Sequence, residues 1–324
     1  MSVAIEVRGL AKRFGDVQAV AGVDFEVAEG ELFGFLGPNG AGKTTTINML
    51  TGLARPTAGT IRFFGQDYTR DVKKAQHLMG IVPDESNLYP ELDGFENLCF
   101  CAALYGLGRR EREGRARELL DTFGLADAAR RSFATYSKGM KRKLTIAAGI
   151  IHRPQILFLD EPTTGIDVAS ARQIRQLLAG LNRAGTTIFL TTHYIEEAER
   201  LCGRIAFIVE GEVVRVDTVE NLVRDARGKE IVEFALSGPA RDLIAPLRAA
   251  FPEVECEAAS EAALRIVARD GIALGPFVRF FEERGVDVLE APKLRPSLED
   301  VFVRVTGIEV ERMRKEKEKG GGGA

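Results

Sequence analysis

The feature that most constrains this chain is a glycine-rich segment, GPNGAGKTT, at residues 37–45. An apolar run at residues 32–36 precedes it, and TTINMLTGL, which has helical character, overlaps its end and continues it. Glycines let a backbone curl closely around an anion because no Cβ intrudes, and successive N–H groups then point inward. The helix that follows adds the positive end of its dipole. The segment therefore predicts a phosphate site between a buried strand and a helix.

This segment matches the P-loop pattern G-x-x-x-x-G-K-[ST], which requires a strand, a loop and a helix in that order. A chance glycine-rich turn is the alternative, and the complete pattern in its proper context argues against it. We expect Lys43 to reach the β- and γ-phosphates of a nucleoside triphosphate and Thr44 to offer its hydroxyl to Mg²⁺. The residues expected to bind the nucleotide are Gly37, Pro38, Asn39, Gly40, Ala41, Gly42, Lys43, Thr44 and Thr45.

Length and charge exclude several classes of protein. The 324 residues are enough for two domains, and 44 Lys plus Arg against 47 Asp plus Glu give no basic excess of the kind that binds nucleic acid. Uncharged stretches reach about a dozen residues, short of the roughly 18 that a membrane span needs. The four cysteines lack metal-site spacing, which favours free thiols in a reducing compartment. Since the amino terminus has no signal-peptide layout, we expect a cytosolic protein whose membrane role comes through a partner.

The order of elements indicates an α/β core. Buried apolar strands at residues 31–36 and 156–160 alternate with helices such as residues 168–184, which is typical of a parallel sheet covered on both faces. Residues 95–151 are predominantly helical and interrupt this core. Beyond a change of composition at residues 224–229, shorter strands and helices predict a small α+β domain.

Two carboxylates follow the apolar strand in the segment ILFLDEP. Asp160 lies where a Mg²⁺ ion beside the P-loop needs a carboxylate, and Glu161 could polarise an attacking water as a general base. A solvated pair of loop acids is the alternative. His193 also follows a strand, TTIFLTT, and we expect it to donate a hydrogen bond to the γ-phosphate rather than to serve a structural role.

Basic residues crowd the start of a predicted helix in SKGMKRKL. Ser137 is a natural N-cap, but cations there oppose the helix dipole, so the pattern favours an anion that docks at this end. A solvated basic face is the alternative. Those cations are Lys138, Lys141, Arg142 and Lys143. Phe14, in a K-R-F-G turn, could stack on a nucleotide base or pack as an edge-strand aromatic, and the local pattern leaves both open.

Together these motifs resemble those of ATP-binding-cassette (ABC) proteins, above all the nucleotide-binding subunits of bacterial and archaeal exporters, including drug-resistance types. The P-loop resembles Walker A, ILFLDEP resembles Walker B, and SKGMK lies where the signature motif belongs. TTGID resembles the D-loop, and THYIEEAE supplies the switch histidine, His193. The similarity covers residues 3–220, and LRPSLEDVFVRVTG is similar to the end of a small domain found on many exporter subunits.

The resemblance implies a P-loop NTPase fold of the α/β class. Its core would be a RecA-like parallel sheet with an antiparallel β subdomain and a helical subdomain at about residues 92–153. The ATP-binding domain would cover residues 1–223 and a C-terminal α+β accessory domain residues 224–310. Residues 311–324, a charge run followed by glycines, would form a disordered tail.

The resemblance also implies a function. The chain would be an ATP-hydrolysing subunit that powers a separate membrane permease from the cytoplasmic face of the membrane, through ATP-driven pairing of two cassettes. Ser137, Gly139 and Met140 of one cassette would complete the ATP site of the other, and Phe14 would stack on the base. The two cassettes would be identical or nearly so. The permease would dock beside residues 84–105, where Leu88, Tyr89, Leu92 and Phe95 cluster, unless these four form the core of the helical subdomain.

The sequence departs from the family pattern in three places. Asp84 replaces the expected Q-loop glutamine; it could still hold Mg²⁺ or a water, and its charge should raise at least one neighbouring carboxyl pKa. The signature has S-K-G where the family has S-G-G, which puts Lys138 beside a phosphate contact. The D-loop change, T-G-I-D, is mild. The rival classes are a soluble, non-transport ABC ATPase and a P-loop kinase or GTPase, and the chain lacks both the second cassette and the guanine-reading motif that these would show.

Overall fold

The computed structural model describes residues 2–226, 230–268, 271–294 and 297–308. These residues form two compact units with the chain boundary between Thr218 and Val219. The boundary predicted between residues 223 and 224 lies inside the helix that opens the second unit. The predicted disordered tail, residues 311–324, is outside the described residues.

The first unit contains an antiparallel sheet, a mainly parallel sheet and a group of helices. Its strands are β1 (Val3–Phe14), β2 (Val17–Ala28), β3 (Leu32–Leu36), β4 (Ala58–Phe63), β5 (Gln66–Asp67), β6 (Met79–Val82), β7 (Ile156–Asp160), β8 (Thr187–Thr192), β9 (Arg204–Val209) and β10 (Glu212–Thr218). Its α-helices are α1 (Lys43–Leu50), α2 (Gly94–Leu104), α3 (Arg109–Thr122), α4 (Lys138–Gly149), α5 (Val168–Arg183) and α6 (Ile195–Leu201). Shorter 3₁₀ helices cover Val72–Leu78, Ala126–Ala128 and Phe133–Thr135.

The parallel sheet determines where the site can form. Its strand order is β10-β9-β3-β8-β7-β6, and the five strands from β9 to β6 are parallel. Every residue of β3, β7 and β8 is buried, as the apolar runs of β3 and β7 predict. The register sets Leu36 beside Thr192 and Asp160 beside Thr191, so the residues that follow these strands emerge at one edge. The predicted P-loop NTPase fold is confirmed by this topology.

The antiparallel sheet, in the order β2-β1-β4-β5, packs on the parallel one through aromatic rings. Phe25 of β2 stacks on Phe33 of β3, with ring centroids 5.9 Å apart, and also contacts Phe35 and Phe189. β1 and β2 each run for 12 residues. The pairing continues through register shifts, including one between Val7 and Leu10, which local alternation in sequence does not reveal.

Helices α2 to α4 lie between β6 and β7 and form the helical subdomain. The start of α2 is fixed by a capping box. The Asp93 side chain accepts a hydrogen bond from the Glu96 N–H at 2.7 Å, and the Glu96 side chain accepts one from the Asp93 N–H at 3.0 Å. The buried Asn97 amide holds the preceding loop by donating to the carbonyl of Tyr89 at 3.0 Å. These contacts fix the segment that leads from β6 into the helices.

The second unit is the small α+β domain that the pattern predicts. Its strands are β11 (Glu230–Leu236), β12 (Glu255–Ser260), β13 (Ala263–Ala268), β14 (Val288–Glu290) and β15 (Lys293–Leu294), and its helices are α7 (Val219–Ala226), α8 (Arg241–Ala250), α9 (Leu274–Glu282) and α10 (Leu298–Thr306). The sheet is antiparallel, in the order β12-β13-β11-β14, with β15 also paired to β11. Its core packs Phe234 of β11 against Phe277 and Phe281 of α9. Across the ranges described, no helix is both long enough and apolar enough to cross a membrane.

Candidate active site

The glycine-rich loop leaves β3 and ends where α1 begins at Lys43. Two of its glycines cannot carry a side chain, because a Cβ on Gly37 would lie 2.1 Å from the carbonyl oxygen of Ile208, and one on Gly42 would lie 2.5 Å from that of Ala19. Gly42 also has a left-handed backbone, with φ of 102°. Gly40, in contrast, has open space where a Cβ would stand. Packing therefore requires glycine at Gly37 and Gly42, whereas the space beside Gly40 is open.

Lys43 is buried at the start of α1, and its ammonium is held over the loop. Its Nζ donates to the carbonyl oxygens of Gly37 at 2.8 Å and Pro38 at 3.0 Å. The same Nζ lies 3.5 Å from Oε1 of Glu161. A buried cation at a helix start beside a glycine loop fits the phosphates of a nucleotide.

Thr44 and Asp160 meet across the site. The Thr44 hydroxyl donates to Oδ2 of Asp160 at 2.8 Å, and the Thr191 hydroxyl donates to the other carboxylate oxygen. Hydroxyl and carboxylate oxygens are ligands that suit Mg²⁺, which usually takes one or two protein carboxylates together with substrate phosphates. Among the residues that the structure describes, no group of three or more acidic, histidine or cysteine side chains could hold a metal ion.

Glu161 is the first residue beyond β7, and its backbone is left-handed, with φ of 50°. Its Oε2 accepts from Nδ1 of His193 at 2.7 Å and from the Thr164 hydroxyl at 2.9 Å. Burial raises the pKa of the Glu161 carboxyl, but the bond from His193 and the charge of Lys43 outweigh it and hold the pKa below its ordinary value. Glu161 is therefore ionised at neutral pH, as a general base must be.

His193 is buried at the end of β8 and faces Glu161. Because a carboxylate only accepts, Nδ1 carries the proton in this bond, and Nε2 of a neutral ring is then an acceptor. His193 can donate to a γ-phosphate from this position only as imidazolium, or after its ring leaves Glu161. Its contact with the γ-phosphate stays a prediction.

Sequence reasoning gave Arg142 the wrong environment. Rather than joining a basic face or waiting for an anion, its side chain turns inward and is only 6% exposed. It hydrogen-bonds to the loops that follow β6 and β7, and it lies 3.4 Å from Oδ1 of Asp84. The charge of Asp84 is thus matched by Arg142, and the expected rise in a neighbouring carboxyl pKa does not occur at Glu161. Asp84 as a Mg²⁺ ligand stays a prediction.

The signature segment explains one departure from the family pattern. The Ser137 side chain caps α4 by accepting from the Met140 N–H at 3.2 Å. A Cβ on Gly139 would lie 2.3 Å from Oγ and 2.7 Å from Cβ of Ser170, so the second glycine is required by packing of α4 on α5. Lys138 is exposed, which makes the first position the tolerant one.

Phe14 ends β1 beside the tight turn to β2, and 53% of it is exposed. The Lys12 ammonium lies 4.7 Å from the centroid of its ring. The same hairpin touches the P-loop, since the Ala19 carbonyl lies against Gly42. An exposed ring on a hairpin anchored to the loop is compatible with base stacking, which stays a prediction.

The structure thus brings together five of the predicted residues by direct contacts: Lys43, Thr44, Asp160, Glu161 and His193. Three supporting residues were missed by sequence reasoning: Thr191, Thr164 and Glu197. Thr191 could have been found from its place at a buried strand end. Glu197 is buried and accepts from the Thr163 hydroxyl at 2.7 Å, and a single glutamate in a helix gives no signal of that role.

Comparison with known proteins agrees with this geometry. The family model described as ABC transporter matches residues 20–164. The chain is 35% identical over 306 residues to the linearmycin resistance ATP-binding protein LnrL of Bacillus subtilis, covering 94% of this chain and 98% of that protein. It is 38% identical over 310 residues to the Nod factor export ATP-binding protein I of Paraburkholderia xenovorans, covering 95% and 98%.

Solved structures give the same result. An ATP-binding subunit of an ABC transporter superposes with a TM-score of 0.63 at 30% identity, over 69% of this chain and 93% of that one. A dimeric ATP-binding cassette in a post-hydrolysis state with ADP and Pi superposes with a TM-score of 0.62 at 28% identity, over 66% and 98%. The chain therefore belongs to the ABC transporter family, as one of its ATP-binding, ATP-hydrolysing subunits.

Proposed function

We propose that two copies of this subunit pair head to tail around two molecules of ATP, and that their cycle of closure and hydrolysis powers export by a separate membrane permease. The observation that carries the proposal is the contact set around Glu161. An ionised carboxylate lies beside the P-loop lysine, within reach of His193 and next to the Thr44–Asp160 pair. Hydrolysis of a phosphoanhydride requires groups that bind the phosphates and a general base that accepts a proton from the attacking water, and this set of contacts supplies both.

Each residue has a defined task in this proposal. Lys43 and the loop N–H groups bind the phosphates, and Glu161 accepts a proton from the attacking water while His193 orients the carboxylate. Thr44 and Asp160 would hold Mg²⁺, which would supply positive charge to stabilise the phosphates. Phe14 would stack on the adenine base.

Pairing is supported by what the single chain exposes. Asn39 and Gly40 are exposed in the glycine-rich loop, and Ser137 and Lys138 are exposed at the start of α4. Val168, which opens α5 beside the D-loop, is 83% exposed. In this proposal the glycine-rich loop of one chain and the start of α4 of the other chain form the two halves of an anion site, with Val168 beside them. A two-fold pairing of identical chains would bury them together.

An exposed apolar group on the helical subdomain supports docking of a permease. Tyr89 is 49% exposed and packs edge-on against Phe100 of α2, with centroids 5.0 Å apart, and Leu104 at the end of α2 is 71% exposed. Tyr105 follows and stacks on His152 at 3.5 Å. These residues would hold the subunit at the cytoplasmic face of the membrane. Export is inferred because relatives carry names of drug resistance and of Nod factor export.

The four residues first predicted for docking divide between surface and core. Leu88 is buried, Leu92 and Phe95 are half-buried, and Tyr89 is exposed. Arg130 lies 4.5 Å from the centroid of the Phe95 ring, which holds that ring against the subdomain. The docking proposal therefore keeps Tyr89 and adds Phe100, Leu104 and Tyr105.

The proposal is tested with Glu161→Gln, which keeps the shape of the side chain and removes its charge. We expect ATP to bind, turnover to fall by about 10²- to 10⁴-fold, and the protein to shift from monomer to dimer on addition of MgATP, measured by sedimentation velocity. Addition of Lys43→Ala to this variant should abolish the ATP-dependent dimer. A protein that stays monomeric with saturating ATP, and whose specific ATPase activity does not change on dilution, would refute the paired mechanism.

A further inference from the structure

Arg142 joins two loops from a buried position. It lies in the second turn of α4, and its guanidinium faces the ends of the adjacent parallel strands β6 and β7. On the β6 side, Nη1 donates to the carbonyl oxygen of Pro83 and Nη2 lies 3.4 Å from Oδ1 of Asp84.

On the β7 side, the same guanidinium binds three consecutive carbonyl groups. Nη2 donates to the oxygens of Asp160, at 3.2 Å, and Glu161, and Nε donates to that of Pro162 at 2.9 Å. A buried charge is tolerated when its hydrogen-bonding capacity is used, and here all three guanidinium nitrogens have partners. Only the planar fork of an arginine can serve both strand ends at once.

The segment that Arg142 holds includes a strained residue. Glu161 has φ of 50°, a conformation that is uncommon for a residue with a side chain and persists when its surroundings enforce it. Its N–H donates to the carbonyl oxygen of Thr191 at 3.1 Å, and its own carbonyl oxygen accepts from Arg142. Both polar groups of the Glu161 backbone are therefore fixed, and with them the direction in which its side chain leaves the backbone toward His193.

We propose that Arg142 is a positioning residue for ATP hydrolysis: it fixes the turn that aims the Glu161 carboxylate and ties that turn to Asp84 and to α4. The inference rests on the proposed function. Since α4 begins at Ser137, which in the paired form meets the ATP held by the partner, Arg142 links the base of one site to the phosphate contact of the other. The Asp84–Arg142 ion pair extends this link to the loop that leads to the permease-docking group.

The test compares Arg142→Met with Arg183→Met, a matched change of an exposed arginine at the end of α5, whose Nε donates to the carbonyl oxygen of Ala179 at 3.2 Å. Misplacement of a catalytic group by about 1 Å can cost about 100-fold in rate. We expect kcat of Arg142→Met to fall by that factor while KM for ATP is unchanged, and Arg183→Met to keep the wild-type kcat. Wild-type kcat in a folded Arg142→Met protein would overturn the inference.

A double-mutant cycle separates positioning from general loss of structure. If Arg142 acts through Glu161, the variant with both Arg142→Met and Glu161→Gln is no slower than Glu161→Gln alone. Additive losses overturn the inference. If Arg142→Met does not fold, Arg142→Lys replaces it, and an ammonium that cannot bridge both strand ends should give an intermediate kcat; a wild-type kcat there overturns the inference. Failure of the proposed function is distinct, because Glu161→Gln would then hydrolyse ATP at the wild-type rate.

Discussion

Replacement of Gly139 by alanine should destabilise the first unit through a defined clash. The new Cβ would lie 2.3 Å from Oγ and 2.7 Å from Cβ of Ser170. The hydroxyl can rotate away, but the Cβ of Ser170 cannot move unless α5 moves with it. Overpacking of this kind costs about 1–3 kcal/mol. In a unit of this size a loss of about 2 kcal/mol lowers Tm by about 4–8 °C.

The assay is differential scanning calorimetry of Gly139→Ala beside two companions. Lys138→Ala changes the neighbouring exposed residue and should keep stability within about 0.5 kcal/mol of the wild type. Ser170→Gly removes both atoms that the new methyl group meets, so the Gly139→Ala, Ser170→Gly protein should recover much of the lost stability. Wild-type Tm in Gly139→Ala, or simple additivity in the double variant, would refute the packing argument.

Three further predictions concern the site and its surroundings. Thr44→Val removes the hydroxyl that donates to Asp160, so half-maximal ATPase activity should need at least about tenfold more Mg²⁺. Thr44→Ser, which keeps the hydroxyl, is the control in this titration. An unchanged Mg²⁺ requirement in Thr44→Val would contradict the assignment of Thr44 as a Mg²⁺ ligand. Phe14→Leu should raise KM for ATP about tenfold, because base stacking is lost, and should preserve kcat in steady-state kinetics. Equal KM values in the variant and the wild type would show that Phe14 only packs as an edge-strand aromatic. Burial raises the pKa of Glu197 above its unfolded value, so its contribution to stability is present at low pH and is lost as pH rises through the folded pKa. The neutral Glu197→Gln variant should therefore gain in Tm relative to the wild type between pH 4.5 and 7, and a difference that is constant with pH contradicts this.

The order of elements and the anionic site follow from the sequence because both depend on local patterns. Continuous apolar runs predict buried parallel strands, and Gly37–Thr45 can be recognised because the loop, the lysine and the helix start are contiguous in the chain. Parallel strands also bring their carboxyl ends to one edge, so Asp160, Glu161 and His193 could be assigned to the same site from their strand-end positions alone.

The role of Arg142 needed the tertiary structure, since its sequence neighbours are exposed or half-buried cations and nothing local distinguishes it from them. Its acceptors lie about 20 and 59 residues away in sequence, on loops that only the packing of α4 brings near. The same reason applies to Gly139, whose requirement comes from Ser170 on another helix, and to the partners of Glu161. Patterns of hydrophobicity and turn residues determine which elements form and where they end, whereas contacts between side chains distant in sequence depend on the register and packing of the folded chain.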